Sequence, residues 1–162
     1  VTHLVAILLN PKPGDAETKS ERNIATAASV LGVASHEIVN MSLVITKDSP
    51  ELNERAQVED VWIKARPVLS EALSSADLVL AAWGQQHYTG KARVTFRGQQ
   101  LWILGELTQK GFEFVITLDG RPRHPSRWRM YLGPQRGLFV GGAFEDRLAI
   151  ALRETPISEL VG

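Results

Sequence analysis

The chain contains no cysteine. That absence excludes disulfides, thiolate zinc sites, iron–sulfur clusters, cysteine nucleophiles and the Pro-Cys-x-x-Cys zinc deaminases. It also carries no net charge, because 18 basic residues cancel 18 acidic ones. Any surface for nucleic acid must then be a local patch, not a general polycation. No apolar run approaches the ~20 residues of a membrane span. The start VTHLVAILLN lacks the basic region and cleavage site of a signal peptide. A Walker A sequence is missing, and the glycine cluster at 137–142 follows no clear strand, so neither phosphate-binding fingerprint is present. The histidines at 3, 36, 87 and 124 lack metal-ligand spacing, and there is no Gly-x-Ser-x-Gly elbow.

What remains is a globular composition. The 162 residues are 44% hydrophobic and 22% charged, enough for one packed domain over 1–162 and too apolar for disorder. These features predict a soluble cytoplasmic monomer without metal or cofactor.

Apolar runs at 5–9, 37–44, 77–82 and 113–117 predict four strands, each ending in a polar or glycine-containing loop. Helical spacing covers 20–31, 61–75 with Pro67 arguing for a break or a late start, 101–110 and 144–152. The stretch 47–60, with five acids against two bases, reads as a solvated loop and helix start. Residues 118–142 read as turn-rich. Continuous apolar strands separated by helices predict an α/β fold, a three-layer αβα domain around a mostly parallel four-stranded sheet. Ligands of such sheets bind beyond the carboxyl ends of the strands. Asn10 and Lys12, Asn40, Gly84 and Gln85, and the segment from Arg121 to Trp128 are therefore expected to converge.

The sharpest compositional anomaly lies between Thr117 and Arg136. Arginines 121, 123, 127, 129 and 136 face a single acid, Asp119, and are interleaved with Trp128 and Tyr131. Arginine mixed with aromatics grips phosphates and stacks or wedges against bases. The plainer alternative is a solvated loop whose arginines pair with the acids of 48–60. Asn10 alone could be a turn residue or helix cap, and His124 alone a turn histidine before proline.

Taken in order, the landmarks resemble the uracil-DNA glycosylase superfamily, and are similar to bacterial family 1643 of domains of unknown function. Leu8-Leu9-Asn10-Pro11 looks like the superfamily's water-activating loop, and Ile38-Val39-Asn40 like the strand whose asparagine reads the flipped pyrimidine. Ala82-Trp83-Gly84 resembles the Trp-Gly-Ser loop that grips a DNA phosphate, with Gln85 in place of serine. His124-Pro125-Ser126 is similar to the His-Pro-Ser of the minor-groove intercalation loop, followed here by Arg127 instead of proline. Arg136-Gly137-Leu138-Phe139, Phe144 and Leu152 echo the superfamily's ending. The Gln before Asp-Pro and the Tyr-His after it are absent.

The resemblance implies a metal-free, monofunctional DNA glycosylase that flips a pyrimidine from DNA and hydrolyses its glycosidic bond. Asn10 would orient water and His124 donate to the departing base. Pro11, Lys12, Asn40 and Gln85 would bind substrate. Trp83, Gly84, Arg121, Arg123, Ser126, Arg127, Trp128 and Arg129 would hold DNA, with Trp128 or Arg127 as the wedge. Lys12 stands where uracil-specific relatives carry a tyrosine against C5, so the expected substrate is a 5-modified pyrimidine such as hydroxymethylated or glucosylated cytosine. In a bacterium that activity suits defence against phages with modified DNA. The alternatives are a uracil or mismatch repair glycosylase, a non-catalytic module recognising a modified base or abasic site, and a small-molecule N-glycosidase or nucleotide-binding enzyme.

Overall fold

Alternation along the first strand creates two cores. In β1, His3–Leu8, residues Leu4, Ala6 and Leu8 face one side of the sheet, whereas Val5 and Ile7, followed by Leu9, face the other. All are nearly or wholly buried, as expected of a central strand covered on both faces. The computed structural model describes residues 2–46, 49–57, 60–133 and 142–161.

On one face lie α1 (Lys19–Leu31) and α7 (Phe144–Ala151), with Ile24, Ala27, Ala28 and Leu148 closing over Leu4 and Ala6. On the other lie α4 (Arg66–Ser75) and α5 (Gly90–Gln109), whose Leu69, Leu73, Ile103 and Leu107 meet Val5 and Ile7. Burial of one such aliphatic side chain is worth about 1.5–3 kcal/mol. The entry of α1 is fixed by a capping box. Thr18 Oγ1 accepts from Glu21 N at 3.1 Å, and Glu21 Oε2 accepts from Thr18 N at 3.2 Å.

The sheet order is β2-β1-β3-β4-β5, where β2 is Ser35–Asn40, β3 Leu78–Ala81, β4 Phe114–Leu118 and β5 Leu152–Pro156. The first four strands are parallel to their neighbours, and β5 runs antiparallel to β4. The sheet therefore has five strands instead of the expected four. The added strand follows α7 without a loop, and its sequence LRETP is polar because it forms the sheet's edge.

Two further expectations are corrected. The strand expected over 37–44 runs instead over 35–40; Met41 N and Ser42 N still donate to Leu8 O and Leu9 O, and the chain continues to Thr46 as a loop. The helix expected from residue 101 starts at Gly90, because its polar first half and Gly98 hide its periodicity. The break or late start expected from Pro67 is seen, as the segment at 61–75 divides into α3 (Asp60–Ile63) and α4, with Pro67 in the first turn of α4, where its missing N–H costs nothing. The helix start expected within 47–60 is α2 (Ser49–Arg55), which buries Leu52, with Ala56 just beyond it buried too, so the stretch is not wholly solvated. The turn-rich segment includes a 3-10 turn, Pro125–Arg127, and the short α6, Trp128–Tyr131. Residues 136–139, and nearly all of the glycine cluster at 137–142, lie outside the described residues.

Candidate functional site

The chain runs from β1 outward to β2 and then returns to place β3 on the opposite side of β1. This reversal opens a crevice at the carboxyl ends of β1 and β3. A cleft of about 460 Å³ occupies it, lined by Asn10 and Lys12 after β1, Gly84 and Gln85 after β3, and Arg123, His124, Ser126 and Arg127 after β4. Three of the four expected strand ends thus converge.

Asn10 is 5% exposed, and its amide nitrogen is fully engaged. Nδ2 donates to Thr46 O at 2.9 Å, Pro11 O at 3.1 Å and Val44 O at 3.2 Å. Three carbonyl acceptors fix the amide orientation, because Oδ1 in that position would face oxygen. Oδ1 receives no hydrogen bond among the described residues. The asparagine therefore clasps the 44–46 loop with one end and offers an acceptor with the other. Pro11 takes part through its carbonyl, not as a lining side chain.

His124 sits in an extended conformation before Pro125, with φ −67° and ψ 134°. Its Nδ1 lies 2.9 Å from Ser126 Oγ and accepts from Ser126 N at 3.3 Å. Acceptance from a backbone N–H leaves Nδ1 bare, so the neutral ring carries its proton on Nε2. Burial, then the charges of Lys12 and Arg127, push the His124 pKa down to about 4. At neutral pH the ring is an uncharged N–H donor. Opposite it, Gly84 has φ +86°, and a Cβ there would lie 3.2 Å from His124 Cβ. Only glycine lets the two loops approach this closely.

The cleft's cations are Lys12, Arg123 and Arg127, and among the described residues no carboxylate lines it. In a chain of zero net charge this is a concentrated positive field. None of Arg121, Arg123, Arg127 or Arg129 forms an ion pair among the described residues, so pairing with the acids of 48–60 is not seen there. Arg123 instead has its guanidinium carbon over Tyr131, 4.0 Å from the ring centre, and Arg129 over Phe144 at 4.0 Å. Arg121 and Arg129 are exposed but lie outside the cleft.

Three assignments are corrected by burial or position. Trp83 is 1% exposed and packs in the core beside α4 and α5, away from the cleft surface, and its Nε1 has no partner among the described residues. Trp128 is fully buried and cannot act as a surface wedge; its Nε1 donates to Arg123 O at 2.9 Å. Asn40 ends β2 opposite Leu8, on the sheet face of Ile38, and does not line the cleft. Thr46, from the loop after β2, lines the cleft.

The sequence reading also missed Ser20, Leu52 and Tyr88, which line the cleft. Tyr88 packs edge-on against Phe96 with ring centres 5.2 Å apart, and burial raises its pKa to about 12. Its hydroxyl has no partner among the described residues. A tyrosine beside two glutamines and a histidine in a polar loop gives no periodic signal.

Among the described residues no group of three or more His, Asp or Glu side chains could hold a metal ion, and no helix is long and apolar enough to cross a membrane. Fold and cleft together define an α/β protein with a cationic crevice at the switch point of its sheet. The chain belongs to the family described as protein of unknown function (DUF1643), whose model matches residues 2–126, from β1 through the His-Pro-Ser turn. No curated protein and no solved structure matches.

Proposed function

We propose that this chain is a monofunctional DNA glycosylase, similar in its landmarks to the uracil-DNA glycosylase superfamily, with a 5-modified pyrimidine as substrate. The observation that carries the reading is the presence of an uncharged His124 N–H donor and the Asn10 amide in one cationic cleft that no carboxylate lines among the described residues. Breaking the C1′–N1 bond sends its electron pair to the base and leaves an oxocarbenium-like sugar. A neutral N–H aimed at a base oxygen stabilises that developing negative charge. Water supplies the oxygen that bonds to C1′, held by a hydrogen bond to Asn10 Oδ1, and its released proton goes to solvent or the departing base. The amide is no base, so it positions water without removing the proton.

Lys12, Arg123 and Arg127 suit DNA phosphates on either side of a flipped nucleotide. The site needs no metal or cofactor. Lys12 lines the cleft at the position where uracil-specific relatives carry a tyrosine, and this replacement supports a substrate with a 5-substituent. Excision of hydroxymethylated or glucosylated cytosine would serve a bacterium against phages whose DNA carries such bases.

A second reading is favoured by the burial of Trp83 and Trp128, which leaves neither ring to stack on or wedge into DNA, and by a cleft with three cations among the described residues. It is an N-glycosidase acting on free nucleotides. A panel of oligonucleotides separates the two. The substrates are uracil, thymine mismatch, hydroxymethylcytosine and glucosylated hydroxymethylcytosine, with the matching mononucleotides alongside. Alkali-labile abasic sites in the modified oligonucleotides support the glycosylase. Base release from mononucleotides alone supports the second reading, and DNA binding without any release supports a recognition module.

A further inference from the structure

Two buried side chains, from different parts of the chain, grip the backbone on either side of His124. Trp128 Nε1 donates to the carbonyl of Arg123 at 2.9 Å. Asn23 Nδ2, from the middle of α1, donates to the carbonyl of Pro125 at 2.7 Å, across 102 residues of sequence. Asn23 is 2% exposed and Trp128 is fully buried. The carbonyl of Pro122 is held in turn by Gly84 N at 2.6 Å.

These contacts determine the histidine's backbone. The Arg123 carbonyl belongs to the peptide plane entering His124, and the Pro125 carbonyl to the plane leaving Pro125. The proline ring between them restricts both its own φ and the conformation of the residue before it. With both outer planes held, little rotation remains at His124. Ser126 N then fixes the ring by donating to Nδ1.

A buried asparagine on an alanine-rich helix face is costly unless its amide is paired. Neighbouring Ile24, Ala27 and Ala28 meet the sheet through apolar contact alone. Asn23 spends its donor on the one segment that carries His124.

Resting on the reading of His124 as the donor to the departing base, we propose that Asn23 and Trp128 are positioning residues that hold the imidazole in place. Neither touches substrate. Trp128 thereby serves the same loop it was expected to project from, but from inside.

The test uses three variants. Asn23→Leu keeps the bulk and removes the donor, and Trp128→Phe keeps an aromatic ring while removing the N–H. Thr155→Val is the control, because it deletes an equally buried hydrogen bond, the 2.7 Å Thr117–Thr155 pair on the far side of the sheet. Nitrogen-15 NMR of the His124 ring reads its tautomer and titration in each protein. Wild type should show a bare Nδ1, a protonated Nε2 and titration near pH 4. In either positioning variant the ring should mix tautomers and titrate closer to 6.5, while Thr155→Val lowers the melting temperature and leaves His124 unmoved. Single-turnover excision should fall roughly 10²-fold in the positioning variants, with DNA affinity unchanged.

If both folded variants lose melting temperature but keep the wild-type His124 tautomer and titration, the residues serve packing alone and the inference is overturned. Should one variant fail to fold, the other decides. If wild type excises nothing yet the His124 signals shift as expected, the positioning holds and the glycosylase reading fails.

Discussion

Asn10 Nδ2 lies 2.9 Å from the carbonyl oxygen of Thr46, so the residue proposed to hold water also ties down the far wall of the cleft. Asn10→Asp would set carboxylate oxygens against the carbonyls of Thr46, Val44 and Pro11. A carboxylate is usually the better base, yet here it should lower both stability and excision. The loss of paired buried carbonyls costs ~1–3 kcal/mol each. Thermal melts and single-turnover rates of the variant check this, and a faster, equally stable protein would contradict the clasp.

His124 should make the protein sensitive to acid. The unfolded ring takes up a proton near 6.5 and the folded ring near 4, so below 6.5 the unfolded chain binds more protons. Stability present above 6.5 is then lost as pH falls toward 4, at up to ~1.4 kcal/mol per pH unit. Denaturant melts of wild type and His124→Leu across this range should diverge in slope, wild type falling more steeply. Parallel curves would mean that the ring titrates normally.

Lys12 contributes to that depression, after burial. Lys12→Gln should therefore raise the His124 pKa, read by NMR. Lys12→Tyr should go further and close the C5 side of the pocket. Overpacking costs ~1–3 kcal/mol, so excision of 5-substituted bases should drop by about tenfold or more while uracil is spared. Equal effects on both bases would remove Lys12 from substrate selection.

The grip on DNA should fade with salt. Removing Arg127, which lines the cleft and has no ion pair among the described residues, should flatten the log–log salt slope by about one unit. Arg129 should contribute less, because it lies over Phe144 outside the cleft. Equilibrium binding at several salt concentrations measures both. Salt-independent binding would point to a small ligand.

Strands β1, β3 and β4 were legible because each is a short apolar run ending in a turn, whereas the half-polar β2, SHEIVN, was placed two residues late and run past its end. The edge strand β5 was not legible, since LRETP buries only Leu152 and Thr155 and reads as the end of a helix. Asn10, Gly84 and His124 were legible as a set because loops after parallel strands must meet at one edge. Trp83 and Trp128 show the limit of that argument. Proximity to a strand end says nothing about which way a side chain turns, and large apolar rings turn inward. Asn23 left no trace in the sequence, because its partner lies far along the chain and is a backbone carbonyl.

Gly84 tests the packing of the two central loops. At φ +86°, with 3.2 Å between a new Cβ and that of His124, Gly84→Ala combines strain with a clash. It should displace the imidazole and cut excision strongly while leaving α1, α4 and α5 folded by circular dichroism. Unchanged excision would show that His124 tolerates movement.

The most direct test of the central claim is single-turnover base release from duplex DNA carrying glucosylated hydroxymethylcytosine or uracil. Wild type, Asn10→Ala and His124→Ala are compared at saturating protein. The cleft chemistry predicts release of the modified base at least as fast as uracil by wild type, and a loss of roughly 10²–10⁴-fold in His124→Ala with binding preserved. Release by wild type that His124→Ala leaves undiminished, or no release of any base, would contradict it.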